Sequence, residues 1–139
     1  MTAMRFVDTN VLLYSLSTAP DEEEKAAVAR ALLEERDLAI SVQVLQEFYV
    51  QATRATRSER LEHDDAAQLI DSYVLRFPVA AITVELMEAS VRTADRFRVS
   101  LWDAAIIEAA RSMGCSLVLS EDFSVGQDYG GVVAENPFQ

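Results

Sequence analysis

Cysteine and histidine are nearly missing from this chain: Cys115 and His63 are the only ones. A lone cysteine closes no intrachain disulfide and builds no cysteine-based zinc site. A lone histidine removes any mechanism that needs two. The apolar neighbours Leu117, Val118 and Leu119 mark Cys115 as an inert core thiol rather than a nucleophile. Lysine is as scarce, with Lys25 alone. No apolar run approaches membrane-spanning length, and no basic stretch followed by an apolar run opens the chain, so a cytoplasmic location is expected. With 4 glycines and 3 prolines there is no linker, low-complexity tract or internal repeat. One domain spanning residues 1–139 is therefore expected.

What remains is apolar and acidic. Half of the residues are hydrophobic and 8% are aromatic, the balance of a folded α/β or helical protein. The net charge of −11 argues against passive, charge-driven binding of nucleic acid over the whole surface. It leaves room for acids gathered around a cation, which inverts the local field. The arginines are unevenly spread: Arg54, Arg57 and Arg60 form one cluster, and Arg92, Arg96 and Arg98 another. Pairing with Glu59, Glu62 or Asp95 on solvated helix faces accounts for any one of them more readily than a ligand does.

The most informative stretch is Arg5-Phe6-Val7-Asp8-Thr9-Asn10. An apolar strand-like run stops at a carboxylate, and a helix-like run, Val11-Leu12-Leu13, follows at once. An α/β sheet presents an acid in this way at the carboxyl end of a strand, where such folds place ligands. Asp8 is equally suited to cap the helix that follows, expected over residues 9–16. Arg5 lies three residues back along the strand and should point to the opposite face. Further on, Pro20 and the acids 21–24 open a helix running to about residue 35.

Leu38-Ala39-Ile40 reads as a buried strand, and Ser41 as the N-cap of a helix over 42–56. Its apolar face carries Val42, Leu45, Phe48, Tyr49 and Ala52, which leaves Glu47 on the solvent side with Gln43, Val44 and Gln51. Residues 57–64 read as a connection. Asp64 and Asp65 start a helix that Pro78 stops, residues 79–82 form a strand, and Thr83 caps the next helix. Ser100 and Asp103 resemble a capping box at the start of a further helix. Asp103 also shares that helix's apolar face with Ile106, Ile107 and Ala110, and an ionised acid turned inward needs a partner or a cation. Arg111 and Gly114 end the helix. Residues 116–119 form a strand that runs into Ser120-Glu121-Asp122, and residues 132–134 a last short one. If the strand at 116–119 is parallel to the first, Asp122 and Asp8 converge.

Strands alternate with helices throughout, which predicts a mostly parallel sheet of about five strands in a three-layer α/β/α sandwich. Clustered carboxylates repel one another and hold hard divalent cations such as Mg²⁺ or Mn²⁺. Such a site can activate water against a phosphodiester. Four motifs in order resemble the PIN-domain ribonucleases, particularly the VapC-like toxins of bacterial toxin–antitoxin pairs. They are Val7-Asp8-Thr9-Asn10, Gln46-Glu47-Phe48, Leu101-Trp102-Asp103-Ala104 and Leu119-Ser120-Glu121-Asp122.

The resemblance implies a PIN-like fold and a Mg²⁺- or Mn²⁺-dependent endoribonuclease in which Asp8, Glu47, Asp103 and Asp122 are the catalytic, metal-binding acids. It implies that Thr9 and Ser120 orient those acids and that Asn10 supports the first turn. Asp122 is preferred to Glu121 because the family places its acid two after Ser or Thr. The resemblance also implies a homodimer and a small antitoxin that blocks the site, often with an arginine. RNA would approach along Arg54, Arg57, Arg92, Arg96 and Arg98. Two other readings stay open. A catalytically inactive binding module of the same fold is one. A phosphatase of the haloacid-dehalogenase type is the other, although that class wants a second Asp where Asn10 stands and a lysine before the last acids.

Overall fold

The computed structural model describes residues 4–139. Five short strands, β1 (Met4–Val7), β2 (Leu38–Ser41), β3 (Val79–Ala80), β4 (Cys115–Leu119) and β5 (Val133–Glu135), form the sheet. Six helices surround it: α1 (Thr9–Ser15), α2 (Glu23–Leu33), α3 (Val42–Ala52), α4 (His63–Arg76), α5 (Val84–Phe97) and α6 (Leu101–Ser112). A single 3₁₀ turn, Pro20–Glu22, leads into α2. The strand order is β3-β2-β1-β4-β5, and every pairing between these strands is parallel.

A parallel sheet must be covered on both faces, so its strands carry consecutive buried apolar residues rather than an alternation. Phe6, Val7, Ala39, Ile40, Val118 and Leu119 are buried accordingly. Parallel crossovers are right-handed, so their direction along the sheet decides which face each helix covers. From β1 to β2 to β3 the chain moves one way, carrying α1, α2, α3 and α4. From β3 it returns past β2 and β1 to β4, carrying α5 and α6 over the other face. The packing agrees: α6 lies across β2, β3 and β4, whereas α1 packs on α2 and α3. The result is the three-layer α/β/α sandwich expected from the alternation.

The reversal of direction falls between β1 and β4. Such a switch point opens a crevice outside the carboxyl ends of the two strands. Val7 pairs with Leu119, so the residues that follow, Asp8 and Ser120, emerge side by side. The Asp8 amide still donates to the Leu119 carbonyl at 3.1 Å.

Element ends differ from expectation where loops capture backbone groups. The helix expected to reach residue 56 stops at Ala52. Thr53 Oγ1 donates back to the Tyr49 carbonyl, and the Leu61 amide takes the Ala52 carbonyl at 2.8 Å. The strand expected over 79–82 shrinks to two residues, paired only with Ile40 and Ser41. The last strand is displaced by one residue, to Val133–Glu135. No described helix is long and apolar enough to cross a membrane.

Candidate active site

Asp8 sits at the bottom of the crevice, 6% exposed. It caps α1, as its sequence position suggested: Oδ1 accepts from the Thr9 amide at 2.8 Å. Its other oxygen, Oδ2, accepts from Ser120 Oγ at 2.8 Å across the β1–β4 seam. Ser120, fully buried, is a hub. Its Oγ donates to Asp8 and accepts from Asn10 Nδ2 at 3.0 Å and from the Asp122 amide at 3.1 Å. Asn10 Nδ2 also donates to Asp122 Oδ2 at 3.1 Å, which ties α1 to the turn after β4.

The other two acids arrive on helices. Glu47 on α3 is half-buried and faces the crevice, contrary to the solvent-facing position read from its helical period. The reason is tertiary: α1 packs on α3, so a second face of that helix is turned inward at its polar end. Glu47 Oε2 accepts from Thr9 Oγ1 at 3.0 Å, and Oε1 from Gln43 Nε2 at 3.1 Å, one helical turn back. Gln43 Nε2 also reaches the Trp102 carbonyl at 3.1 Å, linking α3 to the start of α6. There Ser100 caps the helix, its Oγ accepting from the Asp103 amide at 3.0 Å. That bond engages the Asp103 main chain. Its half-buried carboxylate joins Asp8, Glu47 and Asp122 in lining a cleft of about 270 Å³. Thr9, Asn10, Leu13, Gln51, Trp102, Ile106 and Glu121 supply the remaining walls.

The electrostatics register the convergence. Burial drives the Asp8 carboxyl up to about 6, against the hydrogen bonds from Ser120 and Thr9, while the charges of Glu47 and Asp122 push it higher. Asp103 is also raised, by burial first, against a hydrogen bond from Ser100, and again by the charges of Asp122 and Glu47. The same two acids thus act on both others.

Beyond these four acids, a family profile described as the PIN domain matches residues 5–125. The chain belongs to the PIN-domain family. No curated protein matches it. Solved structures of similar fold include a toxin–antitoxin complex from Klebsiella pneumoniae, at 21% identity and TM-score 0.67, with 98% of each chain covered. The sarcin-ricin loop cleaving toxin VapC20 of Mycobacterium tuberculosis is similar at 20% identity and TM-score 0.66, over 85% of this chain and 89% of that one. DNA-bound VapBC from Salmonella typhimurium is similar at 16% identity and TM-score 0.67, over 98% and 99%. These likenesses establish the fold.

In this PIN domain, Glu121 stands apart from its neighbour Asp122. Its Oε1 accepts from Tyr14 Oη at 2.6 Å and its Oε2 pairs with Lys25 Nζ at 2.9 Å. Neither contact was legible in the sequence, because Tyr14, Lys25 and Glu121 come from three separate segments. Asn10, as a donor to Ser120 and Asp122, holds the place where a haloacid-dehalogenase phosphatase needs its second acid.

The arginines divide. Arg57 lines a smaller cleft of about 190 Å³, together with Tyr14 and Glu22, that shares Asn10, Leu13 and Glu121 with the acid cleft. Arg54, Arg92, Arg96 and Arg98 line neither. Arg96 lies over the Phe97 ring at 4.6 Å, and Arg98 pairs with Asp95 at 3.6 Å. Gln43, which bonds Glu47, and Trp102, a wall of the cleft, carried no role of their own in the sequence reading. The i,i+4 spacing of Gln43 and Glu47 was the available signal for the first.

Among the described residues, no three His, Cys, Asp or Glu side chains stand close enough to form a closed cation cage. A cage is not what the smaller hard cations need. Mg²⁺ keeps several waters and takes one or two carboxylates plus substrate phosphate. The donor set is entirely hard oxygen, and the buried Asn10 Oδ1 has no hydrogen-bond partner. Such a set fits Mg²⁺ or Mn²⁺ better than zinc.

Proposed function

We propose that this PIN domain is a divalent-cation-dependent endoribonuclease, the toxin of a toxin–antitoxin pair. The supporting observation is the meeting of Asp8, Glu47, Asp103 and Asp122 in one cleft at the switch point of the sheet. These acids would hold Mg²⁺ or Mn²⁺, which, when bound, lowers the pKa of water and neutralises phosphate charge during in-line attack. Thr9 orients Glu47, Ser120 orients Asp8, and Asn10 holds the Asp122 turn against α1. With one histidine, at His63 on α4, the chain has no imidazole pair for cation-free acid–base cleavage. Arg57 is the basic residue placed to meet a phosphate next to the scissile one.

An antitoxin fits the same geometry. An arginine from a small partner would satisfy the crowded carboxylates as a cation does, and the net charge of −11 favours a basic partner. A homodimer would cover Val84, Met87 and Val91, which stand 65%, 48% and 52% exposed along one side of α5. The site and its role in a nuclease are one hypothesis, tested together. Partner-free protein is incubated with a mixed RNA pool in Mg²⁺, in Mn²⁺ and in chelator, beside an Asp8→Asn variant. Cleavage that needs the cation and vanishes in the variant is the expected result. Cleavage that survives Asp8→Asn, or none from folded protein in either cation, overturns the proposal.

A further inference from the structure

The turn after β4 delivers two acids in succession, Glu121 and Asp122, to the mouth of one cleft. Only one of them is free to act there. Asp122 receives Asn10 Nδ2 and lines the cleft with the other three acids. Glu121 has both oxygens occupied, by Tyr14 Oη from α1 and Lys25 Nζ from α2. The two donors are themselves joined, Lys25 Nζ to Tyr14 Oη at 3.2 Å. Lys25 also stands 4.9 Å from the centre of the Tyr14 ring and 5.9 Å from that of Phe138, which meets Tyr14 edge-on at 5.0 Å. The C-terminal tail thereby packs over the chain's only lysine, whose side chain is 42% exposed.

We propose that Lys25 and Tyr14 are positioning residues that withhold Glu121 from the acid cleft, so that Asp122 alone is presented from this turn. The inference rests on reading the four acids as a cation site. Glu121 lies in the lining of both the acid cleft and the Arg57 cleft, so its carboxylate needs a rotamer change, not a backbone movement, to change sides. A glutamate released there carries one methylene more than aspartate. It would add a fifth negative charge and draw the cation from the position that Asp8 and Asp103 define. Lys25 thus sets both the charge and the geometry of the site from outside it.

The discriminating experiment compares full-length wild type with Lys25→Met, Lys25→Arg and the double variant Lys25→Met/Glu121→Gln. Mn²⁺ binding is read by electron paramagnetic resonance without RNA, kcat and KM are read with RNA, and thermal midpoints check folding. Lys25→Met is expected to bind Mn²⁺ about five-fold more tightly, the scale of a surface ion pair. Its kcat should fall roughly ten-fold with KM unchanged, as misplaced catalytic groups cause. Lys25→Arg should stay near wild type, and the double variant should regain wild-type values in both readouts because no carboxylate is left to intrude.

Wild-type Mn²⁺ affinity in Lys25→Met overturns the proposal, and so does a double variant as defective as the single one, which would mark a purely structural latch. If Lys25→Met does not fold, Tyr14→Phe, lacking one donor, should shift Mn²⁺ affinity in the same direction, and an unchanged affinity overturns the proposal equally. The expected Mn²⁺ pattern without RNA cleavage by wild type would sink the nuclease and leave the withholding of Glu121 standing. Cleavage with no Mn²⁺ shift would do the reverse, and no Mn²⁺ binding by wild type would end both.

Discussion

Asp8 uses its two oxygens for two purposes: one caps α1, the other joins the strand seam through Ser120. The cost is a buried charge beside Glu47 and Asp122. An unfolded Asp8 ionises near 3.8, whereas the folded one keeps its proton to about 6. A raised folded value means a contribution that is complete below 3.8 and lost as pH rises through about 6. The cation-free protein should therefore lose on the order of 3 kcal/mol from this group across that window. Thermal midpoints measured from pH 4 to pH 8 in chelator test it, and Asp8→Asn should flatten the slope and raise the midpoint at the alkaline end. Mn²⁺ should reverse the loss in wild type and do little for Asp8→Asn, by mass action on the folded state. Ser120→Ala removes one donor and one acceptor from a fully buried hub. A loss of about 1–3 kcal/mol is expected, with a drop in kcat because both Asp8 and the Asp122 turn lose their tether.

Elements explain which of these residues could be seen in the sequence. Asp8 and Asp122 were legible because each follows a short apolar strand, and parallel strands end at a common edge. Asp103 was legible as an acid on the apolar side of α6, although its cap signature competed. Glu47 was not legible from its period, since the face it occupies is polar except for Val44 and becomes interior only because α1 packs on α3. Helix ends were misjudged for the same kind of reason: Thr53 and Leu61 take the carbonyls that would have carried α3 onward.

Two tests belong at this scale. Ser100→Ala should cost about 1 kcal/mol by loss of the α6 cap, and should lower kcat more than KM because Asp103 rides on that first turn. Arg98 ends α5 in the left-handed region at φ 58°. Arg98→Gly should stabilise the protein by up to about 1 kcal/mol, since the ion pair it gives up, with Asp95, is 86% and 83% exposed. Denaturant midpoints resolve both changes.

At the scale of the molecule, topology does the decisive work. One reversal of strand order places the ends of β1 and β4 together, and the helices beside them bring two further acids. If the cleft cuts RNA as proposed, the −11 charge leaves Arg57 as the basic residue beside it, and Arg57→Ala should raise KM with little change in kcat. The most direct measurement is end-group analysis of one defined RNA cut by wild type, with Mg²⁺ or Mn²⁺ and with chelator. Water activated at a carboxylate-held cation should leave 5′-phosphate and 3′-hydroxyl ends, and chelator should abolish them. A 2′,3′-cyclic phosphate product, or cutting indifferent to chelator, would mean that the four acids are not the centre of this protein's chemistry.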